Sequence, residues 1–295
     1  MLTLSLSALV LSVGCGLGFA ASDYFRKAVP ADCPELLLLL YFVGGQVPVL
    51  AAWLLWSGEY RLTADYWGPG LLDAAAGLAG NLLFIAAVRR SPLSLMIPIL
   101  ALVPVLTAAI GVAALGEVLT AKQVSGAALI FMGLVILFIP SGAATLGDGR
   151  RRSFGREPGL PLMLGTAVCW SVTPILDKLS VDASSVPVHG LLQTVALTVV
   201  ATLWILARGG TNAVKLPQGS AAPIAGAALA AGIGYVFQLA AYMATLVAVV
   251  ELIKRLTGVL SALIVGRVFF GEPLTRTKII GIAVIFAGLP QVIFS

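Results

Sequence analysis

Long apolar runs separated by short polar punctuation fill the chain from end to end. Ten of them lie near residues 4–21, 35–56, 68–88, 92–114, 121–139, 159–176, 186–206, 222–243, 246–269 and 277–293. Each approaches the roughly 20 apolar residues that a helix needs to cross hydrocarbon. None shows the strict alternation of a barrel strand, and backbone groups in lipid must be satisfied within the segment. The pattern predicts an all-α integral membrane protein with ten transmembrane helices.

The longest polar interruption, "PSGAATLGDGRRRSFGREP" at 140–158, parts the segments into two groups of five. Across it the chain repeats itself. "GEVLTAKQVSGAALIFMGL" from Gly116 aligns with "GEPLTRTKIIGIAVIFAGL" from Gly271 at a shift of 155, and 11 of the 24 positions from Gly111 to Leu134 are identical. Chance in so Ala-, Leu- and Gly-rich a chain gives about one match in ten. Upstream, "AAGLAG" at 75–80 pairs with "AAGIGY" at 230–235 at the same shift. The expected organisation is therefore a first five-helix repeat at 1–139, an Arg-rich linker at 140–158 and a second five-helix repeat at 159–295. Five is odd, so the second copy enters the membrane inverted. Two inverted halves that meet at the midplane can rock between two related shapes, one open to each side.

Composition agrees with lipid as the main solvent. Apolar residues make up 59% of the 295 and charged residues 11%, with a mean hydropathy of +1.04, too few charges to cover a soluble surface. The net charge of +5 forms no aromatic-spaced basic patch, which argues against nucleic acid as a partner. Cys15, Cys33 and Cys169 have no CxxC or His-linked spacing, so neither a disulfide framework nor a metal site is expected. No Lys or Arg precedes Arg26, so the first segment lacks the basic start of a signal peptide and is expected to be retained.

Charge also predicts orientation. Counted by alternate loops, 13 Lys and Arg residues fall on the side of the central linker, against Arg61, Lys122 and Lys178 on the other. The positive-inside rule then puts the linker in the cytoplasm of a plasma-membrane protein and both termini outside. Gly126 and Gly133, matched by Gly281 and Gly288, are spaced by seven on one helix face and predict close helix packing. Pro98 and Pro104 interrupt the fourth segment and predict a bend.

The duplicated Gly-Glu-x-Leu-Thr turns at 116–120 and 271–275, the run "SPLSLMIPILALVPVLTAAIGVAALGE" and "CWSVTPILDK" resemble the drug/metabolite transporter superfamily, specifically its ten-helix EamA-type members. The resemblance covers essentially the whole chain. It implies a carrier of small metabolites, working by exchange or by proton linkage, without a cofactor. It also implies both termini in the cytoplasm, opposite to the charge count.

The ninth segment carries Glu251, Lys254 and Arg255, on one face by their spacing and, for the two cations, on the order of 12 Å inside the helix. Charges at such depth are costly unless they are paired or face a wet cavity. Either Glu251 neutralises Arg255 while Lys254 snorkels to the headgroups, or the cations bind an anionic group. The equivalent positions of the first half, Met96, Ile99 and Leu100, are apolar, so the fold itself does not demand charge there. Plastid triose-phosphate carriers, which the family resemblance brings in, hold phosphate with a Lys-Arg pair in this helix. Here the pair stands four residues further from the following Phe-Gly turn.

Further intramembrane candidates for substrate contact are Asn81, Gln238 and Tyr242, with Gln46 and Gln193 as polar companions. Trp170, Ser171 and Thr173 in the sixth segment are weaker ones. Glu117 and Glu272 are expected to brace the helix that follows each turn. Asp23 with Arg26, and Asp177 with Lys178, are expected as interfacial pairs, and His189, the only histidine, as an interfacial residue. The expected function is secondary transport of a small polar metabolite, with an anionic or zwitterionic substrate preferred. A passive channel or scaffold is the alternative. A membrane enzyme is disfavoured by the lack of HExxH, nucleophile-elbow and P-loop motifs.

Overall fold

A computed structural model describes residues 6–115, 120–137, 157–209, 214–245 and 247–293. The Arg-rich stretch at 140–156 and Glu117 lie outside them. Among the described residues the chain is helical throughout. α1 spans Leu6–Ala28, α2 Glu35–Gly44, α3 Val47–Ser57, α4 Trp67–Arg90, α5 Leu93–Met96, α6 Leu102–Leu115 and α7 Ala121–Leu137. The second half holds α8 Leu160–Asp182, α9 Val186–Gly209, α10 Ala221–Ala244, α11 Val247–Phe270 and α12 Arg276–Ile293. Among the described residues six stretches are long and apolar enough to cross a bilayer: α1, α2 with α3, α4 with the short turn before it, α8, α9 up to Ala207, and α10. The runs Leu93–Thr107 and α7 are shorter apolar helices. α11 is 24 residues long and carries the Glu251, Lys254 and Arg255 charges. The protein is a multi-pass membrane protein.

Two apolar runs are not single helices. The second breaks at Gly45 and Gln46, where a Cβ on Gly45 would stand 2.7 Å from Ala228 Cβ, so α10 comes close to the backbone there. The fourth passes through a 3-10 turn, Ile97–Ala101, which contains Pro98. Proline has no N–H for the α ladder, and the tighter turn accommodates that loss.

Packing is reciprocal between the halves. α1 lies along α10, α4 along α8, α2 against α9 and α7 along α12. In terms of segments, one packs on eight and three on six, which is the exchange that a two-fold relation between the halves requires. The α7 and α12 pair is the closest. A Cβ on Gly133 would stand 2.6 Å from the Gly281 carbonyl oxygen, and one on Gly126 2.8 Å from that of Gly288. Only glycine allows this approach, as the repeated seven-residue spacing predicts.

Glu272 reaches beyond the helix that follows it, into the other half. It accepts the Leu93 and Ser94 N–H groups at 2.9 and 3.1 Å, capping α5 in the other half. Lys278 Nζ donates to Ser94 Oγ at 2.7 Å, and Lys27 Nζ reaches the Ser91 carbonyl at 2.7 Å and Glu272 at 3.7 Å. Four orphan groups at a helix start need partners, and in a short buried helix a carboxylate from elsewhere supplies them. One side of the molecule is thereby fastened across both halves. Arg89 likewise donates to the Cys33, Pro30 and Ala31 carbonyls in the connection between α1 and α2.

Candidate functional site

Between the halves lies a cavity of about 270 Å³, walled by α1, α2, α4, the 3-10 turn, α8, α9, α10 and α11. It collects the charge that the apolar helices otherwise exclude. Asp23, Asp73, Asp177 and Glu251 line it, together with Arg26, Lys254 and Arg255.

All six predicted substrate contacts, Glu251, Lys254, Arg255, Asn81, Gln238 and Tyr242, border this cavity. Tyr242 donates to Glu251 Oε1 at 2.6 Å, and Lys254 is hydrogen-bonded to the same oxygen. Arg255 Nη2 stands 3.6 Å from Glu251 Oε2. Lys254 Nζ also donates to Gln238 Oε1 at 3.0 Å, so it does not snorkel away. Arg255 Nε has no hydrogen-bond partner, although the residue is only 12% exposed. A guanidinium held by one loose ion pair keeps donors for an incoming group. Asn81 is turned partly to its own helix, donating to the Gly77 carbonyl at 2.9 Å, and Gln46 to the Phe42 carbonyl at 3.1 Å. Trp170 and Thr173 also border the cavity, whereas Ser171 Oγ is buried and bonded to the Val168 carbonyl.

Two helices run past the apolar stretches that announce them. α1 continues to Ala28, seven residues beyond its apolar run, and carries the Asp23 and Arg26 pair into the wall of the cavity. Arg26 is 3% exposed and stacks over Phe84 and Phe42, at 4.3 and 4.7 Å from their ring centres. Phe84 in turn stacks on Trp170 at 5.3 Å. The two aromatic faces take the place of water around the guanidinium, so this pair belongs to the packed interior.

α8 likewise continues to Asp182 and carries Asp177 to His189 near the start of α9. Asp177 Oδ1 is 2.8 Å from His189 Nε2. His189 is fully buried, with Tyr66 Oη 3.4 Å from its Nδ1 and Asp73 Oδ2 3.9 Å from Nε2. Gln193 completes the group by donating to the Gly70 carbonyl at 2.9 Å. Asp73 had a signal in the sequence, as an acid inside the third apolar run. Its partners come from the other half of the chain. Asp73, Asp177 and His189 are metal-ligating types, with one donor atom of each within 4.8 Å of the others. Two ligands of one ion bound at about 2.0–2.2 Å in a tetrahedron lie about 3.5 Å apart, whereas His189 Nε2 and Asp177 Oδ1, at 2.8 Å, stand at hydrogen-bond distance from each other.

The EamA-like transporter family model matches the chain twice, over residues 3–139 and 157–293. This chain belongs to the EamA-like transporter family. It is also similar, at 23% identity over 133 residues, to an uncharacterized protein of Methanocaldococcus jannaschii; the match covers 45% of this chain and 97% of that protein. A solved crystal structure shares the fold with a TM-score of 0.66 at 19% identity, over 97% of this chain and 96% of the other. The family's transporters move small solutes, and the cavity between the two matched units is where this member has room for one.

Proposed function

We propose that the protein is a secondary carrier of a small polar metabolite, working by exchange or ion coupling through ten membrane-crossing segments arranged as two inverted repeats. The substrate is anionic or zwitterionic, and the cavity favours the zwitterion. Acidic and basic side chains line it together, so it offers partners of both signs, whereas a bare anion would use only the basic ones. A dipolar solute can give its acidic group to Arg255 and Lys254 and its ammonium to a carboxylate. The observation that carries this reading is the convergence of opposite charges on one cavity shared by both halves.

Rocking of one half against the other would expose the cavity to each side in turn. The reciprocal packing of the segments supports that motion, and the Glu272 fastening would be the contact that releases on one side. The charge count supports a plasma-membrane location with the 140–158 linker in the cytoplasm.

The test is the thermal stability of the purified protein against phosphates, carboxylates, amino acids and organic cations. A ligand at 100 times its dissociation constant adds about 2.7 kcal/mol, a visible shift. Amino acids or carboxylates are expected to raise the midpoint, and Arg255→Gln to lose the shift. A response to organic cations alone would overturn the substrate assignment.

A further inference from the structure

We infer that Asp73 and Asp177, with His189, form a buried proton-binding site in the cavity wall, distinct from the Glu251, Lys254 and Arg255 group. Asp73 Oδ1 is buried and has no hydrogen-bond partner, while the residue as a whole is 5% exposed. Its carboxyl, that of Asp177 and the His189 imidazole converge within 4.8 Å. His189 Nε2 stands at hydrogen-bond distance, 2.8 Å, from Asp177 Oδ1, and at 3.9 Å it is too far to hydrogen-bond Asp73. Two carboxyl groups this close, with Asp73 buried, are not both charged without a cation to share.

Among the described residues no lysine or arginine is paired with Asp73, and His189 can serve only by taking up a proton itself. Asp177 of α8, His189 and Gln193 of α9, Tyr66 before α4 and Tyr235 of α10 are the polar groups around it. From α1 comes Arg26, already joined to Asp23 and covered by two rings, while Glu35 of α2 is bound to Arg90 at the far end of α4. α5 brings no ionisable side chain. Asp73 Oδ1 is closed to a water-sized group, so the missing cation is one that needs no volume. A proton meets that condition, and it joins Asp73 of the first half to Asp177 and His189 of the second. The proton comes from water in the cavity and returns to it when the halves separate. A site on that seam can couple a proton to the carrier's motion, and this use, though not the site, rests on the proposed transport function.

The experiment is pH-difference infrared spectroscopy of the purified full chain in detergent after EDTA treatment. The expected result is the carbonyl stretch of a protonated buried carboxyl, shifted by carboxyl-13C aspartate labelling, lost in Asp73→Asn and kept in Glu251→Gln. His189→Gln should move its frequency, which keeps the test decisive even where Asp73→Asn does not fold. Absence of the band, its persistence in folded Asp73→Asn, indifference to His189→Gln, or a stoichiometric metal ion released by EDTA would overturn the proposal. No solute flux is read, so failure here leaves the carrier function standing, and failure of the carrier function leaves the site standing.

Discussion

Lys254 Nζ donates to Gln238 Oε1 at 3.0 Å, joining the charged face of α11 to the polar position of α10. That bond turns the lysine into the cavity and away from the headgroups. It also explains why Glu251 can be buried, since the lysine that neutralises it is itself anchored.

Removing Lys254 should therefore expose how far the pair depends on its members. Lys254→Met leaves Glu251 with Tyr242 and the looser Arg255, at a cost of about 1–3 kcal/mol, below the roughly 3–5 of a dry pair because the trio faces a cavity. Glu251→Gln added to Lys254→Met should recover most of that loss. Denaturant or thermal unfolding in detergent checks both, and a double variant less stable than the single would contradict the coupling.

Glu272→Ala withdraws the acceptor for two buried N–H groups at the start of α5. Each orphaned group costs about 1–3 kcal/mol. The unfolding midpoint should fall and the seam should loosen. In a background without the three native cysteines, Leu95→Cys, at a position buried in the parent, should react faster with a maleimide when Glu272 is replaced. Equal rates would show that Glu272 does not fasten the halves.

Two glycine substitutions should act in opposite directions. Gly133→Ala places a Cβ 2.6 Å from the Gly281 carbonyl and should destabilise by about 1–3 kcal/mol through overpacking. Gly68→Ala meets nothing within 4 Å and should be neutral or stabilising by up to about 1 kcal/mol. Unfolding midpoints of the two variants measured together check the sign of each.

Hydrophobic runs marked the positions of the helices well, because lipid imposes a length and an apolar composition on anything that crosses it. The glycine pairs of α7 and α12 were equally legible, since close approach permits nothing larger. Breaks at Gly45 and at Ile97–Ala101 were less so, because a kink depends on what the neighbouring helix does. Of the site, Glu251, Lys254 and Arg255 were visible as charges out of place. The burial of Asp23 and Arg26 was not legible, because an apolar run ending at residue 21 does not end the helix, and Phe42 and Phe84 shelter the guanidinium from two other elements. The partners of His189 were hidden because Asp73 and Tyr66 approach it only through the fold, and those of Glu272 because Leu93 and Ser94 lie in the other half.

The most direct test of a zwitterion carrier is counterflow in reconstituted vesicles loaded with unlabelled amino acids and given the same mixture isotopically labelled outside. Wild-type protein should show a transient overshoot of label, and Arg255→Gln should show none while its unfolding midpoint stays near that of the wild type. An overshoot of equal size in Arg255→Gln, or no overshoot in the wild type, would contradict the account.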